Sequence, residues 1–439
     1  MDTQTWEQLD ARPIPAWFPA AKFGIFIHWG PFSVPAWRTV SDELFGGYAE
    51  WYYACVYGEY RNADPDYHRE TWGEDFAYRD FAPLFTAQRF DPVEWASLFR
   101  RAGARYVVLT SKHHDGFCMW ATDNPHKSGW NAGDVGPRRD ILGELADAVR
   151  AEGMKMGVYY SIPEWETHPS HRCDGGYFVP EHDVRLFGMD PDDYPDEVLH
   201  PQWKELNERY RPSVIYTDGG EWDLSEDYTR SRELLTWLYT EAPNRDEVVV
   251  NDRMHVGMPG RHGDYFSTEY SDIEGYGALH PWEESRGIGK SYGYNRAETL
   301  DDYAQTPELI DLLVRTVGRG GNLLLNVGPR EDGTIPEVQR QRLIEIGEWL
   351  DANKGAIYDT EPLHLDLGEG AFAVERNGTV YVLVTTDGPD VINLPWKITS
   401  AADLATGNAL DTQGTRLFPP AQRRLPCALA CTVEGRTTR

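Results

Sequence analysis

Carboxylates and imidazoles follow the short apolar runs of this chain, which is where catalytic groups collect in parallel-sheet enzymes. Asp218 ends the run Val-Ile-Tyr-Thr-Asp, and Glu269 follows Tyr-Phe-Ser-Thr. His28 follows a third run, and His113 with His114 follows a fourth. Turns alone favour polar residues, but the same placement after six runs is harder to attribute to turns. Because the carboxyl ends of barrel strands meet at one face, we expect these side chains to share one site.

Paired carboxyl groups are the chemistry that these residues suit best. Glycoside hydrolysis with retention uses one carboxylate as nucleophile and one carboxylic acid as proton donor, about 5–5.5 Å apart. Asp218 stands where a nucleophile is expected, and Gly219 and Gly220 behind it would let a substrate approach closely. An Asp-Gly pair also starts many turns, so a purely structural role for Asp218 stays open here.

A metal site is not predicted. His113 and His114 are adjacent, and adjacent side chains on an extended backbone point apart, which makes them poor ligands for one ion. The chain contains neither an HExxH nor an HxH spacing. Gly318–Gly321 precedes an apolar run instead of opening a helix, so it fails the context of a nucleotide-binding loop. We therefore expect neither a metal nor a cofactor.

The apolar runs alternate with amphipathic stretches, the β-then-α rhythm of a parallel sheet. Runs that are apolar on both faces and joined by helices favour an α/β fold, a (β/α)8 TIM-like barrel over residues 1–355. The predicted helices are Asp91–Ala102, Ile141–Glu152, Glu197–Tyr210, Ser225–Glu241, Thr306–Val317 and Pro336–Ala352. The predicted strands are Phe23–His28, Tyr106–Ser111, Met156–Ser161, Val214–Asp218, Val248–Asn251, Tyr265–Tyr270, Trp282–Arg286 and Asn322–Val327.

The pattern changes after Lys354. Short alternating segments at Ala371–Glu375, Thr379–Thr385 and Val391–Leu394 are separated by turn residues such as Asn377-Gly378. This pattern is typical of antiparallel strands. We predict a small C-terminal antiparallel β-sandwich domain over residues 356–439, with a bracing role against the barrel.

Composition narrows the function classes. A formal net charge of −29 repels nucleic acid and anionic membranes, so neither is expected as a partner. Five cysteines, an odd number without a CxxC, do not indicate a disulfide framework or a zinc ribbon. Nothing in the chain resembles a leader or a run of about 18 apolar residues. A cytoplasmic protein is expected, or a secreted or periplasmic one if a leader has been removed.

Several blocks between residues 15 and 335 can be compared with known families. One of them, Leu-Thr-Ser-Lys-His-His-Asp-Gly-Phe, is long enough to be specific. The blocks are Trp17–Phe18, Lys22–Gly30, Ser33–Pro35, Glu50–Tyr52, Leu109–Phe117, Gly157–Ser161, Glu164–Trp165, Trp282–Glu283, Gly287–Asn295 and Asn322–Pro329. Together they resemble the family 29 glycoside hydrolases, the α-L-fucosidases.

The resemblance implies an exo-acting, retaining α-L-fucosidase with Asp218 as nucleophile. It implies Glu269 as the acid/base, with Glu283 and then Glu50 as alternatives; a structural role for Glu283 as a brace below the pocket also stays open. Tyr160 would lie near the anomeric centre, and Arg253 would hold the nucleophile side. Tyr292 and Trp282 would form an apolar wall for the C5 methyl group. The implied contacts to sugar hydroxyls come from His28, Glu50, Trp51, His113 and His114.

The expected partner is a fucosylated oligosaccharide or glycoconjugate. One alternative is a barrel glycosidase for a related sugar, such as an α-L-galactoside, and another is a catalytically inactive carbohydrate-binding protein. The present nucleophile and donor candidates count against the inactive protein. The sequence leaves open the linkage, the oligomeric state and whether residues 173–201 form a lid over the site.

Overall fold

Eight parallel strands form a curled sheet. The computed structural model describes residues 2–43, 46–57, 64–165, 192–220, 222–271, 280–421 and 423–436. The strands are β1 (Phe23–Ile27), β2 (Tyr106–Lys112), β3 (Lys155–Ser161), β4 (Val214–Asp218), β5 (Val249–Val250), β6 (Phe266–Glu269), β7 (Trp282–Gly287) and β8 (Asn322–Val327).

The strand order is β5-β4-β3-β2-β1-β8-β7-β6, so chain neighbours are sheet neighbours except at the two edges. A parallel bridge between Asn251 and Tyr265 connects those edges, just after β5 and just before β6. The sheet therefore curls into a TIM-like barrel, which confirms the predicted fold class.

Both faces of the central strands are buried, but they pack against different partners. Phe26, Tyr159 and Tyr216 belong to a cluster inside the barrel. Tyr160 follows Tyr159 by one residue and Ile215 precedes Tyr216 by one. Both belong to the larger cluster between the sheet and the helices. Because side chains alternate along a strand, the apolar side chains of β3 and β4 divide between these two environments.

The helices cover the outside of the sheet. Asp91 caps the helix that begins at Pro92, because its carboxylate accepts hydrogen bonds from the Val93 and Glu94 backbone, a typical N-cap arrangement. The single helix expected over Ser225–Glu241 is interrupted at Arg230, which has a left-handed φ of 49°. Short 3-10 turns cover Pro31–Ser33, Ala49–Trp51, Tyr78–Leu84, Pro125–Lys127, Leu300–Asp302 and Lys354–Ala356, and Pro195–Leu199 forms a π-helical turn. The α-helices are Trp6–Asp10, Trp17–Ala21, Tyr52–Tyr57, Asp64–Thr71, Pro92–Arg101, Ile141–Ala151, His200–Arg209, Glu226–Thr229, Ser231–Thr240, Thr306–Gly318 and Glu337–Asn353.

Two antiparallel sheets follow the barrel, with strand orders β13-β16-β11-β10-β9 and β12-β15-β14, and confirm the C-terminal β-sandwich. The Trp349 indole on the last barrel helix donates to the Pro426 carbonyl at 2.8 Å. Val374 and Leu383 also pack into the barrel's outer core, so the division at residue 355 stays a prediction. These strands are β9 (Glu361–Pro362), β10 (Ala371–Arg376), β11 (Thr379–Val384), β12 (Ile392–Asn393), β13 (Lys397–Asp403), β14 (Thr412–Gln413), β15 (Arg416–Leu417) and β16 (Cys427–Glu434).

The described residues contain neither a disulfide bond nor a helix that could cross a membrane. The four cysteines in the described residues, Cys55, Cys118, Cys427 and Cys431, are free and buried, and Cys173 lies outside them. Within the same described ranges, no helix has the length and apolarity needed to cross a membrane. Whether residues 173–201 form a lid stays open, because most of them lie outside the described residues, which resume at residue 192.

Candidate active site

A pocket of about 170 Å³ opens at the carboxyl ends of the barrel strands. The structure brings nine of the residues predicted from the sequence into its lining. These are His28, Glu50, Trp51, His113, His114, Asp218, Arg253, Glu269 and Tyr292.

Asp218 ends β4 and points into this pocket with three polar contacts. The Tyr159 hydroxyl donates to Asp218 Oδ2 at 2.8 Å, and His114 Nε2 lies 3.4 Å from the same oxygen. Arg253 Nη2 lies 3.7 Å from Oδ1. Burial opposes ionisation of this carboxyl, but Arg253, and then His114 and Tyr159, outweigh it and hold the pKa of Asp218 below its usual range. The group is therefore an ionised carboxylate at neutral pH.

Glu269 ends β6 and forms the second carboxyl group of the site. Arg253 Nη1 lies 3.4 Å from Glu269 Oε2, and the Tyr48 hydroxyl donates to Oε1 at 3.1 Å. The Tyr216 hydroxyl accepts from the same Arg253 nitrogen at 3.0 Å. The side chains of Asp218 and Glu269 are each 17% exposed. Two carboxyl groups that a ligand can reach therefore flank one guanidinium.

His28 is held as a neutral imidazole with one defined acceptor. Asn326 Nδ2 donates to the Tyr292 carbonyl at 2.6 Å, which leaves Asn326 Oδ1 as the acceptor facing His28 Nδ1 at 2.7 Å. The proton of the neutral ring is thus assigned to Nδ1 from the hydrogen-bond network. Burial lowers the pKa of His28 to about 3. Its Nε2 is consequently left as a hydrogen-bond acceptor.

His113 and His114 both line the pocket, although adjacent side chains were expected to point apart. They lie in the loop after β2, and their ring centroids are 4.4 Å apart. Ser161 donates to the Pro163 carbonyl at 2.5 Å, so it accepts from His114 Nδ1, also at 2.5 Å. Burial holds the pKa of His113 well below its usual value. Within the described part of the chain, no three His, Cys, Asp or Glu side chains group as a metal would need.

Glu50 is a third carboxyl group at the pocket, and one of its oxygens is held by the loop beside it. Its Oε2 accepts from the Gly293 backbone at 2.8 Å and contacts Ser291 Oγ at 3.1 Å. Burial raises the pKa of Glu50 to about 7. Ser291 stands in a Gly-x-Ser-x-Gly run, and its hydroxyl donates to the Gly293 carbonyl at 2.7 Å. A backbone carbonyl does not remove the hydroxyl proton, so this contact does not activate Ser291 as a nucleophile.

Tyr292 presents an apolar ring to the pocket. The ring stacks on His28 with centroids 4.8 Å apart, and Tyr48 meets it edge-on at 5.3 Å. The Tyr292 hydroxyl donates to the Ser285 carbonyl at 3.1 Å. Since the polar end of the side chain is occupied there, the ring itself forms one apolar wall.

Three residues predicted for the site lie away from the pocket. Tyr160 points out of the barrel, where its hydroxyl donates to Gln202 at 3.0 Å. The Lys112 ammonium lies 3.9 Å from the centroid of its ring. Glu283 and Trp282 begin β7, so they lie at the opposite end of the barrel. Trp282 packs against Gly321, and Glu283 is fully buried and accepts from the Tyr106 hydroxyl. The structure therefore does not bring Tyr160, Trp282 or the acid/base alternative Glu283 to the pocket. The bracing role left open for Glu283 stays a prediction.

Six lining residues were missed from the sequence. Tyr159 occupies the place expected for Tyr160, and Tyr216 and Phe26 share a strand face with Asp218 and His28. Counting back two residues from each strand-end side chain would have indicated Tyr216 and Phe26. The missed residues are Phe26, Tyr48, Tyr159, Tyr216, Trp222 and Ser285.

Gly219 and Gly220 serve the loop rather than the approach of a substrate. A Cβ at Gly219 would lie 2.8 Å from Ile162 Cβ and 3.0 Å from the Met254 carbonyl. A Cβ at Gly220 would lie 2.8 Å from Pro259 Cγ. Only glycine therefore allows this loop to pass between its neighbours.

Comparison with known proteins assigns this architecture. A family model described as alpha-L-fucosidase matches residues 2–355. The chain is 40% identical over 386 residues to the tissue alpha-L-fucosidase of Rattus norvegicus, covering 88% of this chain and 77% of that protein. It is 39% identical over 409 residues to the tissue alpha-L-fucosidase of Homo sapiens, covering 92% and 83%.

Solved structures give the same answer over the whole chain. The fold matches that of the Thermotoga maritima alpha-fucosidase solved in complex with a mechanism-based inhibitor, with a TM-score of 0.81 and 35% identity. The match covers 97% of this chain and 99% of that one. The same enzyme in complex with fucose gives a TM-score of 0.80.

Proposed function

Because this chain belongs to the α-L-fucosidase family, we propose that it removes terminal α-L-fucosyl residues from glycans with retention of configuration. The protein is a glycoside hydrolase, and the family implies a fucosylated glycan as its substrate. One observation carries the mechanism: Asp218 and Glu269 flank the guanidinium of Arg253, at 3.7 and 3.4 Å. Carboxyl groups held by one guanidinium suit the short spacing, about 5–5.5 Å, of retaining enzymes.

In the first step, Asp218 attacks the anomeric carbon and the bond from that carbon to the glycosidic oxygen breaks. Glu269 gives its proton to that oxygen, so the leaving group departs as an alcohol. The products of this step are a fucosyl ester of Asp218 and an ionised Glu269. Asp218 suits this role because its low pKa keeps it ionised, and Tyr159 orients one of its oxygens.

In the second step, Glu269 acts as a base. It takes a proton from a water molecule while the water oxygen attacks the anomeric carbon, and the ester bond to Asp218 breaks. Glu269 ends protonated and Asp218 ionised, as at the start. Two inversions at the same carbon give net retention.

Recognition of the sugar divides between polar and apolar walls. His28 offers Nε2 as an acceptor for a sugar hydroxyl, and His113, His114, Glu50 and Trp51 extend the polar side. The ring of Tyr292 faces the C5 methyl group of the 6-deoxy sugar. An L-galactoside carries a hydroxymethyl group there, and an apolar wall gives that hydroxyl no partner, which favours fucose modestly.

The wild-type protein is tested first with matched aryl α-L-fucosides and α-L-galactosides, with proton NMR of the first-formed sugar. We expect faster hydrolysis of the fucoside and α-fucose as the first product. β-Fucose as the first product would contradict retention. A preference for the galactoside would favour the related-sugar alternative, and binding without hydrolysis would favour the inactive protein.

Glu269→Ala tests the proton donor, with Glu283→Gln as the control outside the pocket. We expect Glu269→Ala to lose about 10²- to 10⁴-fold on a fucosyl disaccharide but to keep cleaving a dinitrophenyl fucoside, whose leaving group needs no proton. Added azide should then yield α-fucosyl azide. Near-normal activity of Glu269→Ala on the disaccharide would remove Glu269 from this role and make Glu50 the next candidate.

A further inference from the structure

Tyr48 contacts the proposed acid/base but has no part in the mechanism above. It is 4% exposed and lines the pocket, and its hydroxyl donates to Glu269 Oε1 at 3.1 Å. The other carboxyl oxygen, Oε2, lies 3.4 Å from Arg253 Nη1. Each oxygen of Glu269 therefore faces a hydrogen-bond donor, one of them neutral and the other charged.

The backbone around Tyr48 is anchored by the loop that follows β7. The next residue, Ala49, donates its backbone N–H to Ser291 Oγ at 2.9 Å. One residue further, Glu50 Oε2 accepts from the Gly293 backbone at 2.8 Å. A segment tied down by two such contacts presents the Tyr48 hydroxyl in one place instead of letting it sample many.

The ring and the hydroxyl of Tyr48 have different partners. The ring meets that of Tyr292 edge-on, with centroids 5.3 Å apart and planes at 73°, so it packs on the apolar wall. The hydroxyl donates to Glu269. Replacement by phenylalanine would keep the ring contact and remove the hydrogen bond, so the two roles can be separated by one substitution.

The hydrogen bond from Tyr48 does not act equally on the two charge states of Glu269. A bond donated to an ionised carboxylate is stronger than one donated to a neutral acid. Glu269 becomes ionised in the first step, as its proton passes to the leaving oxygen. Donors aimed at an atom on which charge develops lower the barrier of that step.

We propose that Tyr48 is a positioning residue for the acid/base, whose hydroxyl fixes Oε1 of Glu269 and stabilises the negative charge that develops there during proton donation. This inference rests on the function proposed above, in which Glu269 is the proton donor. Tyr48 should therefore matter for leaving groups that need a proton and matter little for those that depart without one.

Other titratable groups around Glu269 also bear on its pH dependence. Burial raises the pKa of Glu50 to about 7, which lies within the range of a rate profile. Asp218, on the other side of Arg253, has a lowered pKa and is already ionised there. Burial raises the pKa values of the surrounding phenols, so they stay neutral. These phenols are Tyr48, Tyr216, Tyr270 and Tyr292.

Two fucosides with the same fucosyl group separate Glu269 from Glu50. Fucosyl-α-1,2-galactose needs a proton on its leaving oxygen, whereas a dinitrophenyl α-L-fucoside does not. We expect the wild-type kcat/KM to fall at lower pH on the disaccharide than on the dinitrophenyl fucoside, because only the disaccharide requires protonated Glu269. Titration of Glu50 would affect the two profiles alike.

Tyr48→Phe should move the basic limb on the disaccharide to higher pH by about one unit, because ionised Glu269 loses a donor. At the pH optimum we expect kcat/KM to fall about tenfold on the disaccharide and less than about threefold on the dinitrophenyl fucoside. Tyr292→Phe is the matched control. It removes a hydroxyl that donates to the Ser285 carbonyl at 3.1 Å and should leave the basic limb in place.

A basic limb that stays in place or moves to lower pH in Tyr48→Phe would overturn the proposal. Equal losses on the two substrates would overturn it as well, because they would assign the hydroxyl to recognition of the fucosyl group. Two outcomes of the wild-type assay differ from a failure confined to Tyr48. Coincident profiles on the two substrates would contradict proton donation by Glu269 itself, and hydrolysis of neither fucoside would refute the proposed function.

Discussion

The two ends of the barrel each hold a carboxyl group, but the surroundings favour the ionised form at one end and the neutral form at the other. Asp218 ends β4 at the open end and contacts Arg253 and Tyr159. Glu283 is the second residue of β7 at the closed end, where the Tyr106 hydroxyl donates to it. Burial raises the pKa of Glu283 to about 8, whereas the surroundings of Asp218 lower its pKa.

The difference shows that burial alone does not make a catalytic carboxylate. Removing a carboxyl group from water favours its neutral form unless a positive charge or several donors compensate. The open end supplies a guanidinium that also contacts the second carboxyl group, and the closed end supplies a phenol. The first arrangement favours an ionised carboxylate, and the second favours a neutral acid.

The largest expected difference between the two ends is in catalysis. Asp218→Asn and Glu283→Gln make the same chemical change, from acid to amide, at either end of one barrel. We expect Asp218→Asn to lose about 10³- to 10⁵-fold in kcat because an amide cannot form the ester. Glu283→Gln should stay within about threefold of wild type. Comparable losses in both variants, measured on an aryl α-L-fucoside, would remove the distinction.

Arg253 is the residue that distinguishes the two environments, so removing it should make the open end resemble the closed one. We expect Arg253→Met to raise the pKa of Asp218, because burial then acts with less opposition. Since the proposed mechanism needs ionised Asp218, the acidic limb of the kcat/KM profile should move to higher pH by about one unit or more. Arg139→Met, which removes an ion pair with Glu144 outside the pocket, is the control. An acidic limb that stays in place would show that Arg253 does not set the ionisation of Asp218.

A smaller effect should separate the adjacent tyrosines of β3. Tyr159→Phe removes the hydroxyl that donates to Asp218, and we expect kcat to fall about tenfold. Tyr160→Phe removes a hydroxyl that donates to Gln202 outside the barrel and should change kcat less than about twofold. The reverse order of the two losses would place Tyr160 in the site.

The smallest effect on activity comes with a pH-dependent effect on stability. Folded Glu283 keeps its proton up to about pH 8, while the unfolded chain releases it near pH 4.5. The stability contributed by this group is therefore present below pH 4.5 and is lost as the pH rises towards 8. Glu283→Gln lacks this loss, so its Tm relative to wild type should increase by a few degrees between pH 5 and pH 8. A Tm difference that is flat with pH would contradict the neutral state of Glu283.

The strand-end rule explains how much of the site the sequence could predict. All eight barrel strands were found within about two residues, and the groups that end or follow them, Asp218, Glu269, His28, His113 and His114, converge on one pocket. The same rule explains the displaced residues. Trp282 and Glu283 begin β7 instead of ending it, as the predicted range Trp282–Arg286 already implies, so the rule itself places them at the other end of the barrel.

Other features had no local signal in the sequence. Tyr159 and Tyr160 are chemically identical, and β3 is apolar on both faces, so neither periodicity nor residue type separates the inner face from the outer one. Tyr48 and Trp222 reach the pocket from loops whose course depends on distant packing, such as that of Gly220 against Pro259. The break at Arg230 involves neither glycine nor proline, the residues by which such breaks are recognised.

The most direct measurement of the central claim is to trap the covalent intermediate. A 2-deoxy-2-fluoro-α-L-fucosyl fluoride slows both steps but keeps a good leaving group, so the ester should accumulate. We expect the mass of the wild-type protein to increase by one fluorofucosyl group and the label to map to the peptide that contains Asp218, while Asp218→Asn stays unlabelled. A label on Glu269 or Glu50, or turnover of the fluoride to an inverted product without any label, would contradict Asp218 as the nucleophile.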